Sequence, residues 1–132
     1  MSTQGSESIF SSNQLESQKD RRQYPRIHVH WYCFIDAPND TGAEPSRIRV
    51  IEISEVGFGF VCDVAYPIGS TIKFRMNIPD PVNGSQWHLA PGQAEIVNSV
   101  LSREGFRSGV SIKSMLIAHQ DMLKAWVKLR LR

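Results

Sequence analysis

Thr71-Ile72-Lys73-Phe74-Arg75-Met76-Asn77-Ile78 alternates without a break, with Ile72, Phe74, Met76 and Ile78 at one parity and Lys73, Arg75 and Asn77 at the other. A period of two with one apolar and one polar face marks a half-buried β-strand. Pro67, Gly69 and Ser70 form the turn that leads into it. Upstream, Phe58, Phe60 and Cys62 alternate in a shorter run, and Arg47–Ile53 sets Ile48 and Val50 against Arg49 and Ile51. Further back, Ile27, Val29, Trp31, Cys33 and Ile35 alternate with His28, His30, Tyr32 and Phe34, which predicts a strand with a largely covered second face. Ala37–Ser46, with Pro38, Asn39, Asp40, Gly42 and Pro45, reads as loop.

Downstream, Pro79–Gly92 reads as a long connection with a short strand around Trp87–Leu89. Gln93–Ser102 and Phe106–Ile112 flank Arg103-Glu104-Gly105, a hairpin signal. The period then changes. Leu116, Leu123, Val127 and Leu131, with Met122 and Trp126 beside them, recur at helical spacing and predict a helix over 117–131. Lys124, Lys128, Arg130 and Arg132 crowd its C-terminal half, where cations complement the helix dipole. About six short antiparallel strands followed by one helix predict an all-β domain, a small barrel with one end or side covered by that amphipathic helix.

The 132 residues are 41% hydrophobic, enough for one core. Met1–Asp20 differs: Ser- and Gln-rich and poor in large apolar residues, it is expected to form a flexible arm of charge −2 ahead of a domain at 21–132. Net charge is only +2, too little to indicate a nucleic-acid binder by itself. No apolar stretch approaches the ~20 residues of a bilayer span, and no basic segment with an apolar block opens the chain. The expectation is a cytoplasmic protein without membrane insertion. Cys33 and Cys62, the only cysteines, lie in apolar runs and read as two buried reduced thiols.

Catalysis finds little support. No serine sits in a nucleophile-elbow pattern, and His28 and His30 share a strand face without a third ligand, so no metal is expected. His88 and His119 are isolated. The arginines are more informative. Arg21-Arg22-Gln23-Tyr24-Pro25-Arg26 precedes the first strand, and Pro25 disfavours helix at Tyr24, so the segment should be extended. Guanidinium groups pair bidentately with phosphate oxygens or with the N7/O6 edge of guanine. Between the second and third strands lies Glu52-Ile53-Ser54-Glu55-Val56-Gly57, with a small hydroxyl at Ser54 and, at Gly57, freedom for positive φ or close backbone approach. Either motif alone is ordinary: a solvated basic run, and a common turn.

Together, Arg-x-x-x-Arg ahead of the first strand and acidic-x-Ser-x-x-Gly after the second resemble the PilZ domain family, bacterial receptors for cyclic diguanylate (c-di-GMP). The resemblance runs from Arg21 to about Leu131 and includes the Pro67-Ile68-Gly69 turn and Ser108-Gly109-Val110-Ser111-Ile112 before the helix. It implies a six-stranded antiparallel barrel with a C-terminal helix, and c-di-GMP as ligand with no cofactor. By position it implies that Arg22 and Arg26 clamp the ligand, with Arg21 as an additional contact. It likewise makes Ser54 a hydrogen-bonding residue and Gly57 the turn glycine. Two positions depart from the pattern: Glu52 stands where the family usually has Asp or Asn facing a guanine edge, and Val100 stands near a place often held by Trp.

The mechanism implied is a disorder-to-order change of the Arg-rich segment that presents a new surface to a separate, unidentified effector protein. No bond is made or broken. The alternative is a PilZ-like adaptor that binds proteins and not the nucleotide, for which Glu52 is the best support. A barrel for single-stranded nucleic acid would need aromatic platforms on a basic face, and the arginines are spread too thinly for that. A cyclic-dinucleotide hydrolase lacks the carboxylate and histidine cluster it would require.

Overall fold

The computed structural model describes residues 24–37 and 44–131. The expected arm at 1–20, Arg21, Arg22, residues 38–43 of the first loop and Arg132 lie outside the described residues. Six strands precede one helix: β1 (Ile27–Ile35), β2 (Ser46–Ile53), β3 (Gly57–Cys62), β4 (Thr71–Pro79), β5 (Trp87–Ser102), β6 (Gly105–Met115) and α1 (Ile117–Leu131). The strands pair antiparallel in the order β1-β2-β3-β6-β5-β4, and β4 returns to β1, closing a barrel. The inward set of each strand fills the interior, with Ile35, Val50, Ile53, Phe60, Phe74, Met76, Ile78 and Ile96 all essentially without solvent contact.

The second face of β1 is not covered as expected. His28, His30 and Tyr32 are exposed and Phe34 is half-buried, because the outer wall of a single closed barrel faces solvent. Arginines from neighbouring strands shield its aromatics: Arg47 lies 3.9 Å above the Tyr32 ring and Arg75 5.5 Å from the Phe34 ring. The Pro79–Gly92 connection is also shorter than its composition suggests. Trp87–Leu89 is the start of the sixteen-residue β5, which runs through Pro91 and Gly92 and pairs with β4 along one half and β6 along the other. What remains, Asp80–Gln86, is a compact turn in which Asp80 Oδ1 accepts the Val82 and Asn83 N–H groups at 2.8 and 3.0 Å.

The hairpin between β5 and β6 forms as expected, Ser102 opposite Gly105. Gly105 takes a φ of 120°, open to glycine and unfavourable for other residues, and a Cβ there would meet the Cys62 carbonyl oxygen at 2.6 Å. Both cysteines are free thiols. Cys33 is buried, which pushes its pKa up to about 12. Cys62, at the rim where β3 ends, is only half-buried, contrary to expectation.

α1 buries Leu123 and Val127 against the barrel, with Met122 and Trp126 packed beside them. Trp126 meets Trp31 edge-on at 6.0 Å between ring centroids, and its Nε1 donates to the Pro79 carbonyl at 2.7 Å. Arg130 Nη1 donates to the His28 carbonyl at 2.8 Å. Leu116 and Leu131, assigned to the same stripe from sequence, are 62% and 54% exposed, because the helix buries apolar side chains against the barrel only over its middle turns. Among the described residues no helix is long and apolar enough to cross a membrane.

Candidate functional site

Strict alternation along β2 from Ile48 and Val50 would turn Glu52 into the barrel. It does not, because the β2–β3 register slips between Val50 and Glu52. One extra residue, Ile51, resets the parity, so that Ile53 is buried and Glu52 reaches the outer wall. A similar slip on β5 between Ile96 and Asn98 leaves Val97 and Asn98 both on the exposed side. The two irregularities flank a row that crosses four strands: Glu52 opposite Gly59, Gly59 opposite Gly109, Gly109 opposite Asn98.

The two glycines leave this row without side chains at its centre. A Cβ on Gly59 would lie 3.0 Å from Glu52 Cγ, and one on Gly109 would lie 2.9 Å from both terminal atoms of the Asn98 amide. Glu52 and Asn98 therefore lie down over bare backbone from opposite sides. The result is an open pocket of about 190 Å³ lined by Arg26, Glu52, Ser54, Gly57, Asn98, Gly109 and Ser111, with Val56 and Val97 among its apolar walls.

The Ser54–Gly57 turn forms one corner. Ser54 N–H donates to the Gly57 carbonyl at 2.9 Å, and Ser54 Oγ accepts the Val56 and Gly57 N–H groups at 3.2 and 3.1 Å. The hydroxyl is buried and its bonds lie within the turn, a local side-chain cap on two backbone donors. Gly57 is not one of the described glycines with positive φ. Close approach is what requires it: a Cβ there would stand 2.3 Å from the Val110 carbonyl oxygen. Ile112 N–H donates to Val56 O at 2.8 Å and fastens the turn tip to β6.

Two cations converge on Glu52. Arg26 Nη1 lies 2.9 Å from Oε2, and Arg107 Nη2 lies 3.7 Å from Oε1. Both guanidiniums are substantially exposed while the Glu52 carboxylate is mostly covered. The structure thus assembles four of the six residues singled out from sequence, Arg26, Glu52, Ser54 and Gly57, around one pocket, while Arg21 and Arg22 lie outside the described residues. Sequence reasoning missed Gly59, Asn98, Arg107 and Gly109, which reach the site only through strand register. Among the described residues no group of three His, Cys, Asp or Glu side chains is arranged to hold a metal. A guanidinium pair at Glu52, beside a recess lined by Gly57 and Gly109, suits an anion attached to a flat ring.

No protein-family model matches the sequence, and no curated protein does either. Solved structures do match. The inhibitor of motility MotI/DgrA of Bacillus subtilis superposes with a TM-score of 0.73 at 16% identity, over 85% of this chain and 52% of that one. The PilZ domain of Escherichia coli YcgR, solved with c-di-GMP, gives 0.58 at 16% identity over 83% and 91%. The K. pneumonia MrkH–c-di-GMP complex gives 0.63 at 14% identity over 85% and 53%. The chain spans about half the length of MotI/DgrA and MrkH. Its closed six-stranded barrel with a C-terminal helix is the PilZ fold.

Proposed function

We propose that this protein is a receptor for c-di-GMP that signals to a separate effector protein without catalysing a reaction. The observation that carries the reading is the convergence of Arg26 and Arg107 on Glu52, at the edge of the pocket that Gly57 and Gly109 line beside the Ser54–Gly57 turn. Support comes from the solved complexes of YcgR and MrkH with that nucleotide, which share the fold. The pocket's 190 Å³ falls below the roughly 300–1,000 Å³ of a cleft that engulfs a drug-sized ligand. One purine would enter the recess between the Ser54–Gly57 turn and Asn98, and the rest of the macrocycle would lie across the surface under arginines.

In this reading Arg26 and Arg22, helped by Arg21, clamp phosphates and guanine edges, and Glu52, Ser54 and Gly57 form the corner against which the ligand rests. Ser54 acts by holding the turn. Ligand charge draws the Arg-rich segment onto the barrel wall, and the ordered segment becomes the effector's docking surface. Titration calorimetry tests the receptor. Wild type binds c-di-GMP, and Arg26→Ala weakens binding about 10- to 100-fold, the usual loss for a charge-assisted hydrogen bond. Hydrogen exchange on the same samples tests the mechanism: protection over residues 19–30 rises with ligand, and unchanged protection refutes the ordering step.

A second reading, an adaptor that binds only proteins, draws on one observation, the Arg26–Glu52 ion pair that already neutralises the described member of the arginine pair. A folded wild type that shows no heat with c-di-GMP at high concentration selects it.

A further inference from the structure

The carboxylate of Glu52 occupies a particular place: between two guanidiniums, above the bare backbone of Gly59, at the edge of the pocket. That is where an anionic ligand group would have to sit in order to pair with both cations. Carboxylate and phosphodiester carry the same charge and accept the same forked hydrogen bonds. Bringing a second anion beside Glu52 would be repulsive, so the two cannot share the position. Arg107 matters equally here. It comes from β6, opposite Val61 and Val100, far in sequence from the arginine run before β1, and reaches Glu52 across β3.

We propose that ligand binding is an anion exchange. One phosphodiester of the cyclic dinucleotide displaces the Glu52 carboxylate from between Arg26 and Arg107, which makes Arg107 a direct ligand contact and Glu52 a built-in competitor. This inference rests on the receptor reading above. It assigns Glu52 a role different from the guanine-edge acceptor implied by its motif position, because its oxygens face guanidinium groups. The exchange conserves charge, so a bare monoanion gains little by entering. A ligand must add ring contacts over Gly59, bared when Glu52 leaves, or a second phosphate, to compete. An exposed ion pair is weak enough for such a ligand to open it.

Titration of the full chain with c-di-GMP tests the exchange on wild type, Glu52→Gln and Arg107→Ala. Glu52→Gln is expected to bind roughly three- to fivefold tighter, since Gln keeps the shape and removes the competing charge. Arg107→Ala is expected to bind about tenfold more weakly. Circular dichroism melts confirm that each variant is folded. Weaker binding by Glu52→Gln overturns the proposal and makes Glu52 a ligand acceptor. Unchanged affinity in Arg107→Ala overturns it too. If wild type and Glu52→Gln both fail to bind, the receptor reading itself falls, a result distinguishable from the other two.

Discussion

Gly57 shows how a single hydrogen atom in place of a side chain sets the corner of the site. Its backbone runs so close to β6 that a methyl group would stand 2.3 Å from the Val110 carbonyl oxygen, well inside contact distance. That obstacle is backbone held in a ladder, so it cannot swing aside. Gly57→Ala is therefore expected to destabilise the fold by about 3 kcal/mol, at the upper end for overpacking. Urea unfolding checks this, with a lowered midpoint at unchanged slope; a midpoint within error of wild type would mean that β3 and β6 separate there at little cost. The motif residues Arg26, Glu52, Ser54 and Gly57 are legible in the sequence because each stands at a fixed offset from a strand end. Asn98, Arg107, Gly59 and Gly109 are not, since their meeting depends on which residue faces which across four strands. The sequence does hold a faint trace of that register. Val50 and Ile53 are both core residues three apart, a break in the period of two that signals a bulge.

At the scale of elements, every strand expected from alternation exists, because a period of two over six or more residues has no competing helical reading. Composition misleads where it outweighs pattern. Pro91 and Gly92 suggested loop, yet they sit inside β5, where Pro91 faces Arg75 and the Phe74 ring approaches within 2.6 Å of where a Gly92 Cβ would be. Proline, which lacks a donor and fixes φ, is tolerated where β5 pairs with β4 alone, and glycine makes room for the aromatic ring. The helix bounds follow from periodicity, but the buried stripe is narrower than the apolar one. Leu123 and Val127 are covered while Leu116, Ile117, Leu129 and Leu131 stay exposed. Leu123 thus carries much of the docking of α1, and Leu123→Ala should cost about 3 kcal/mol through lost burial and a residual cavity. Leu131→Ala, removing the same atoms from an exposed site, should change stability by less than about 0.5 kcal/mol. Thermal melts of the pair separate a docked helix from an appended one. Equal effects would contradict the packing described. The docking also reaches towards the site, since Arg130 holds the carbonyl of His28, whose register partner is Glu52.

For the whole molecule, closure depends on β4 touching both β1 and β5, and the connection that follows β4 is where barrel and helix are joined. Trp126 Nε1 binds the Pro79 carbonyl, and the next residue, Asp80, organises the turn into β5. The Asn83 N–H, then the His88 ring at 2.9 Å, then the Val82 N–H hold the Asp80 carboxyl down at a pKa of about 2. An unfolded Asp titrates near about 3.9. A carboxylate whose folded pKa is depressed stabilises the native state at pH above its unfolded value, and that contribution disappears as pH falls through the folded one. Acidification from about pH 5 to about pH 2 should therefore loosen this junction before most of the barrel, whose interior holds almost no titratable groups. Asp80→Asn removes the titration while keeping an oxygen for the turn. Its melting temperature should lie below wild type at pH 7 and decline less steeply between pH 5 and 2, so that the two curves converge at the acid end. Parallel curves across that window would show that other carboxylates govern the acid limb and that Asp80 merely shapes the turn. Sequence alone could not have located this junction, because Pro79 and Trp126 are brought together only when the barrel closes and the helix docks.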